Sequence, residues 1–237
     1  MTWSIIARET TTGRVGIIVA SKFFAVGAMV PHIRTGVGAV CSQAFVNPYF
    51  GPRGLAMMSA GASAEEAVNL LVVADEGRDN RQLHAMDKQG RIQAYTGAKC
   101  IDWCGHTVGD GFSVAGNMLA GPQVLDETVA AYEANADLPL ARRLIAAMHA
   151  GERAGGDKRG KQSAALLIHD AEDYPLLDLR VDDHLDPLVE MERLYSVARE
   201  RWLHFRRVLP RQGAESGLVD RSELDAFITA SMASKFE

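Results

Sequence analysis

Residues 1–22 read MTWSIIARETTTGRVGIIVASK, and this stretch decides the architecture. Residues 2–8 (TWSIIAR) and 15–21 (VGIIVAS) are rich in Ile and Val, the side chains that suit a pleated surface. Between them, residues 9–14 carry Thr10, Thr11, Thr12 and Gly13, which supply turn chemistry for a hairpin. Strict polar–apolar alternation is missing from VGIIVAS, as expected of a strand covered on both faces. Thr2 lies directly behind the initiator methionine, and by the two-residue period Ser4 shares its face.

Working outward, residues 36–46 (GVGAVCSQAFV) form a further buried strand, and Asn47, Pro48, Gly51 and Pro52 break it. A helix is predicted over 52–59. Ser63 with Glu66 makes a capping box that opens a second helix running to Asp75. RQLHAMD and RIQAYTG flank Lys88-Gln89-Gly90 as a hairpin. A short strand near 113–115 precedes helices at 122–135 and 138–151, and strands follow at 163–169 and 176–181. Asp186-Pro187 is a helix start, with Asp as N-cap and Pro in the first turn. Beyond it Leu188, Met191, Tyr195, Ala198, Trp202, Phe205 and Leu209 recur at alternating spacings of three and four, the period of a coiled-coil seam. Such a stripe packs on the parent domain or seals a homodimer or higher homo-oligomer. The flanking Arg199, Arg201, Arg206 and Arg207 read as a solvated face. A last short helix with an Asp220–Glu223 capping box presents Leu224, Phe227 and Ile228. The domain reading is therefore 1–186 for the main body and 187–237 for a helical appendage.

Composition removes several function classes. The 237 residues carry a net charge of −5, which argues against nucleic acid as a partner. No apolar run approaches the roughly 20 residues needed to span a bilayer, so no membrane partner is expected. Three cysteines suit a reducing compartment, and the chain start lacks a basic region followed by an apolar core, so a cytoplasmic location is expected.

Strand blocks separated by helix pairs do not fit βαβ winding. They fit an α+β fold: two antiparallel sheets stacked face to face and covered outside by helix pairs, a four-layer αββα sandwich. That layout resembles the N-terminal nucleophile hydrolases, and the opening hairpin is similar to the start of a proteasome β subunit. A closer resemblance is carried by MTWSIIAR, VASKFFAVGA, NPYFGPRGL, GAKCIDWCGH, GNMLAGPQV, AGGDKRGKQSAALL and LRVDDHLDP. Together these blocks resemble the DUF1028 family, an uncharacterised bacterial family grouped with those hydrolases. The resemblance implies the αββα fold and hydrolysis of an amide bond.

An N-terminal nucleophile attacks an amide carbonyl with its side chain while its own α-amine, of pKa about 7.7–8.0, takes the proton. Thr2 meets the requirement once Met1 is removed; otherwise it is an ordinary strand residue. Ser4 is the alternate hydroxyl. Ser21 and Lys22 end the second strand, where a lysine with His32 or Arg34 as neighbours would lower the nucleophile's pKa. In GGDKRGKQS, residues 155–163, a Gly-rich turn gathers Asp157, Arg159 and Gln162, a candidate anion cradle. Asn47, Arg53 and Asn117 sit at strand–helix junctions and can cap helices or donate to an oxyanion. Cys100, Asp102, Cys104 and His106 hint at zinc, but there is no second distant pair, so no metal and no cofactor is expected, and Asp102 and His106 are placed at a pocket rim. The functional expectation is an amidohydrolase for a small anionic substrate. The alternative is a non-catalytic small-anion-binding or oligomeric protein on the same scaffold.

Overall fold

The apolar runs pair as their composition dictates. In the computed structural model, which describes residues 2–233, ten strands form two antiparallel sheets. In chain order they are β1 (Thr2–Arg8), β2 (Val15–Ser21), β3 (Pro31–Arg34), β4 (Gly38–Ala44) and β5 (Arg81–Asp87). Then come β6 (Ile92–Thr96), β7 (Trp103–Gly109), β8 (Phe112–Leu119), β9 (Ser163–His169) and β10 (Leu177–Val181). One sheet has the order β10-β9-β2-β1-β8-β7 and the other β3-β4-β5-β6. Met1, on which the processing question turns, lies outside the described residues, as do residues 234–237.

Helices α1 (Phe50–Ser59) and α2 (Ala64–Val73) cover the smaller sheet, packing Phe50, Leu55, Met58, Val68 and Leu71 onto Val40, Leu83 and Ala85. The Ser63–Glu66 capping box is present at the start of α2. Helices α3 (Gln123–Ala134) and α4 (Leu140–Arg153) cover the larger sheet, with Leu140 and Leu144 lying over Gly16 of β2. The fold is thus the four-layer αββα sandwich, an α+β architecture. Between the sheets Ile6, Ile17, Val19, Ala39, Cys41, Met86 and Ala165 form a continuous apolar layer. Each fully buried aliphatic side chain there contributes about 1.5–3 kcal/mol.

Two strands exceed the sequence reading. β3 is four residues long and contains Pro and Arg, too short and too polar to signal itself. β7 is a sheet edge with exposed His106 and Val108, so its weak apolar pattern read as an irregular loop.

The chain divides into two compact units, Met1–Met191 and Glu192–Glu237. Asp186 caps α5 (Pro187–Val197), its Oδ1 accepting from Val189 N at 3.3 Å. Leu188, Met191, Tyr195 and Ala198 are buried as a stripe. The expected seam stops there, because Ala198–Trp202 is a π-helical turn. One extra residue per turn rotates the pattern, leaving Trp202 39% exposed and burying His204, Arg206 and Val208 in place of Phe205 and Leu209. In the second unit α6 (Leu203–Phe205) is followed by α7 (Arg221–Ala233), held by His204 Nδ1 at 2.7 Å and Arg207 Nη1 at 3.0 Å from Ser231 Oγ. Asp220 Oδ1 caps α7 by accepting from Glu223 N at 3.0 Å.

Behind β1, Trp3 is buried against Gly151 and Gly156 at the end of α4. A methyl group at Gly151 would lie 2.1 Å from Thr128 Oγ1 and 3.2 Å from Trp3 Nε1. Ala favours a helix over Gly by about 1 kcal/mol, whereas overpacking costs about 1–3 kcal/mol. Thr128 is buried and bonded to Val124 O at 2.6 Å, so it has no room to yield. Gly151→Ala is therefore expected to lower the urea midpoint at unchanged m-value, measured by circular dichroism.

Candidate active site

The register of the larger sheet places a row of polar residues across one end. Ser163, Ser21, Thr2 and Asn117 are successive cross-strand partners on β9, β2, β1 and β8. Cross-strand partners share a sheet face, and here it is the face toward the second sheet. Thr2 Oγ1 lies 3.1 Å from Ser21 Oγ, and Thr2 is 6% exposed. The Thr2 carbonyl accepts from Asn117 Nδ2 at 3.3 Å and from Gln43 Nε2 at 3.4 Å. The start of β1 is therefore held by side chains of both sheets.

Gln43 on β4 and Gln82 on β5 are register partners in the smaller sheet and almost wholly buried. Gln43 Nε2 lies 2.8 Å from Gln82 Oε1 and 3.1 Å from Ala115 O. Gln82 Nε2 reaches Gly116 O at 2.8 Å and both Gly105 O and Thr96 Oγ1 at 3.0 Å. Since carbonyls only accept, these contacts fix both amide orientations. Gln43 Oε1 must then accept the Ser4 hydroxyl, 2.6 Å away. Ser4 Oγ in turn accepts from His84 Nε2 at 2.9 Å, which leaves Nδ1 to accept from Ser113 Oγ at 2.6 Å. His84 is thus the neutral Nε2–H tautomer. Burial, with a smaller contribution from His106, brings its pKa down to about 3.

Ser4 and His84 are both fully buried, so their pairing presents no reactive surface. Lys22 is exposed and gives its ammonium to Lys161 O at 3.2 Å, while its backbone N–H donates to Asp157 Oδ2 at 2.9 Å. His32 lies under α1 against Gly51, and Arg34 lies at the other end of the sandwich beside Arg8 and Val15. Asp157 organises the Gly-rich loop: its Oδ1 accepts from Arg159 N at 2.8 Å and its Oδ2 meets Arg159 Nη2 at 3.3 Å. Gln162 N donates to Ser21 O at 3.0 Å and Gln162 Nε2 to Asp183 Oδ1 at 3.0 Å. The 157–162 loop therefore folds onto the end of β2, beside the Thr2 row.

Asn117 and Met118 line a cleft of about 280 Å³ together with Ala44, Phe45, Lys99 and Ile101. Ala44 and Met118 have φ of 66° and 53°, and Asp102, next to Ile101, has φ of 56°. Left-handed backbone at non-glycine residues costs of order 1–3 kcal/mol each and collects at functional sites. Phe45 and Ile101 are 73% and 60% exposed at the rim. Asp102 pairs with Lys158 at 2.8 Å, and His106 Nδ1 lies 2.9 Å from Thr96 Oγ1. Cys100 and Cys104 donate to Arg81 O and Cys100 O, and burial pushes the Cys100 thiol up to about 11. Among the described residues no three metal-ligating side chains come together. Asn47 stands apart: its Oδ1 accepts from Tyr49 N at 3.1 Å and its Nδ2 lies 3.4 Å from Asp75 Oδ2. Arg53 stacks on the Tyr49 ring.

Sequence reasoning missed Gln43, Gln82, His84 and Ser113. The available signal was the pair Gln82 and His84 two residues apart in RQLHAMD, which period two puts on one face. The folded His84 holds its proton only below about pH 3, whereas an unfolded histidine titrates near 6.5. Its contribution to stability is complete above pH 6.5 and declines by about 1.4 kcal/mol per pH unit as the pH falls from there toward 3. Urea unfolding across that window is expected to show a shallower pH slope for His84→Gln than for the parent chain, by about one proton.

The model of the "Family of unknown function (DUF1028)" matches residues 2–191. The crystal structure of protein SPO2555 from Silicibacter pomeroyi, described with that family model, superposes with a TM-score of 0.86 at 34% identity. It covers 93% of this chain and 96% of that one. Anbu (ancestral beta-subunit) from Yersinia bercovieri gives a TM-score of 0.41 at 10% identity, over 83% of this chain and 94% of its own. No curated protein matches. No helix among the described residues is long and apolar enough to cross a membrane. The family model and the SPO2555 likeness agree over the whole αββα body, and the chain belongs to the DUF1028 family.

Proposed function

We propose that the chain is an amidohydrolase of the N-terminal nucleophile type, with Thr2, freed of Met1, as the nucleophile. The observation that carries this reading is the placement of Thr2: first in its strand, hydroxyl 3.1 Å from Ser21, and paired in register with Asn117 at the cleft wall. In the first step Thr2 Oγ bonds to the substrate's carbonyl carbon, and its proton passes to the Thr2 α-amine with Ser21 as bridge. The C–N bond then breaks, the proton moves to the leaving amine, and an acyl ester on Thr2 remains. Water, deprotonated by the same α-amine, releases the acid.

The other residues act by position. Asn117 and Gln43 hold the Thr2 carbonyl, so the strand end is fixed relative to the cleft. Both amide hydrogens of Asn117 are engaged, with Thr2 O and Gln82 Oε1, which makes it an anchor rather than an oxyanion donor. Lys22 and Asp157 set the 157–162 loop, with Arg159 and Gln162, beside that end. Ser4 locks β1 to His84. Lys99, whose ammonium meets Asp79 at 3.7 Å, is the charged residue of the cleft lining, and its remaining donors favour a small anionic amide. The near-complete burial of Thr2 favours a second reading, a binding protein for a small anion on a hydrolase-like scaffold.

Intact mass spectrometry and an amide panel separate the two. The protein made in bacteria is expected to lack Met1 and to release amine from small carboxylate-bearing amides. Thr2→Ala should lower kcat/KM by about a thousandfold or more, and Thr2→Ser should retain activity. Full retention of Met1 in active protein, or full activity in Thr2→Ala, overturns the mechanism. A second measurement follows from the base: kcat/KM should rise with pH through a midpoint near about 8 to a plateau above about 9, as the α-amine loses its proton.

A further inference from the structure

The end of the sandwich away from Thr2 contains a second cleft of about 280 Å³. It opens where β1 and β9 finish and where the β3–β4 and β5–β6 turns meet, and it is lined by Arg8, Arg34, Thr35, Lys88, His169 and Asp170. Six residue steps along β1 lead from Thr2 to Arg8 in its lining, about 20 Å of extended chain. The apolar layer of Ile6, Ile17, Ala39 and Met86 fills the space between. The two clefts are separate sites.

Three cations, Arg8, Arg34 and Lys88, line this one cleft. Several other cations meet carboxylates: Arg81 with Asp75, Arg91 with Asp87, Lys161 with Glu152 and Asp186. Among the described residues Arg8, Arg34 and Lys88 form no ion pair, although the chain is acidic overall. Arg8 Nη1 donates to Lys88 O at 3.0 Å, which fixes the guanidinium at the cleft wall and leaves the rest of its donors to the opening. Asp170 is the one carboxylate in the lining, and its Oδ1 accepts from Glu172 N at 3.3 Å. Thr35 and His169 are joined at 2.9 Å across the floor.

We propose that this cleft binds the phosphate group of a small phosphorylated molecule. Three cations borne on three different segments converge on one space. A carboxylate has two oxygens in a plane and satisfies a single guanidinium fork; a phosphate monoester carries about two charges and three acceptor oxygens, and takes donors from several sides. The volume admits the phosphate and a substituent of about sugar size, below the range of larger ligand pockets. The site stands on Arg8, Arg34 and Lys88 and does not depend on Thr2.

Isothermal titration at low ionic strength, with inorganic phosphate and with ribose 5-phosphate, tests the proposal. Both should bind at one site with a millimolar or tighter Kd, and ribose should not. Arg34 and Lys88 are exposed, so Arg34→Gln/Lys88→Gln should fold, and it should weaken both ligands at least tenfold. Arg53→Gln/Arg78→Gln removes the same charge away from the cleft and should change Kd less than twofold. Should the first pair fail to fold, Lys88→Gln alone must weaken binding threefold or more. Absence of saturable binding, or an equal loss in the Arg53/Arg78 control, overturns the site.

Discussion

Two buried carboxamides hold the working end of this molecule together. Gln43 and Gln82 bond to each other and to the carbonyls of Thr2, Ala115, Gly105 and Gly116 in the facing sheet. Sheets in a sandwich ordinarily meet through apolar side chains, and do so here at the Ile6–Met86 level. At the Thr2 level they meet through hydrogen bonds. Each bond contributes about 0.5–1.5 kcal/mol net, but an orphaned amide in this setting costs about 1–3 kcal/mol. The geometry is therefore directional in a way that a layer of methyl groups is not. It sets the position of β1 relative to the smaller sheet, and everything proposed for Thr2 rests on that position.

The polar network also divides labour along the strands. Thr2, Ser4 and Ile6 share the inner face of β1, and their partners change from Asn117 and Gln43, through His84, to Met86. Trp3 points the other way, onto Gly151 and Gly156. The large indole behind β1 and the amides in front hold the strand from both sides. Ala44, Met118 and Asp102, held with positive φ around the adjoining cleft, are supported by this rigid surround.

Much of the architecture was legible in residues 1–22 and in the spacing of strand and helix blocks. β1, β2 and β9 have the bounds their composition predicts, and the capping box of α2 is where Ser63 and Glu66 put it. Local signals fail where the partner decides. β7 is an edge strand whose pattern is set by a single neighbour, and β3 is recognised only by its pairing with β4. The π turn at Ala198–Trp202 ends a stripe that the heptad spacing continues to Leu209, since periodicity holds no information on an inserted residue. In the candidate site, Thr2 pairs in register with Ser21 and Asn117, and the 157–162 loop bonds to the end of β2. Gln43 and Gln82 escaped a one-dimensional reading because a polar residue in a strand reads as solvent-facing until the opposing sheet is in place. Asn47 was drawn off by its own turn, where the competing bond to Tyr49 N is only two residues away.

The register of β1 carries a consequence for the order of synthesis. β1 pairs on one side with β2, made within the next few residues, and on the other with β8, whose Asn117 lies 115 positions downstream of Thr2. The Asp157 loop that seats against the end of β2 is made later still, 135 residues beyond Lys22. While the ribosome is producing the first half of the chain, the leading strand has one open edge and none of the Asn117 contact that will hold its start. The contacts that fix the start of β1 therefore form only after more than a hundred residues have emerged.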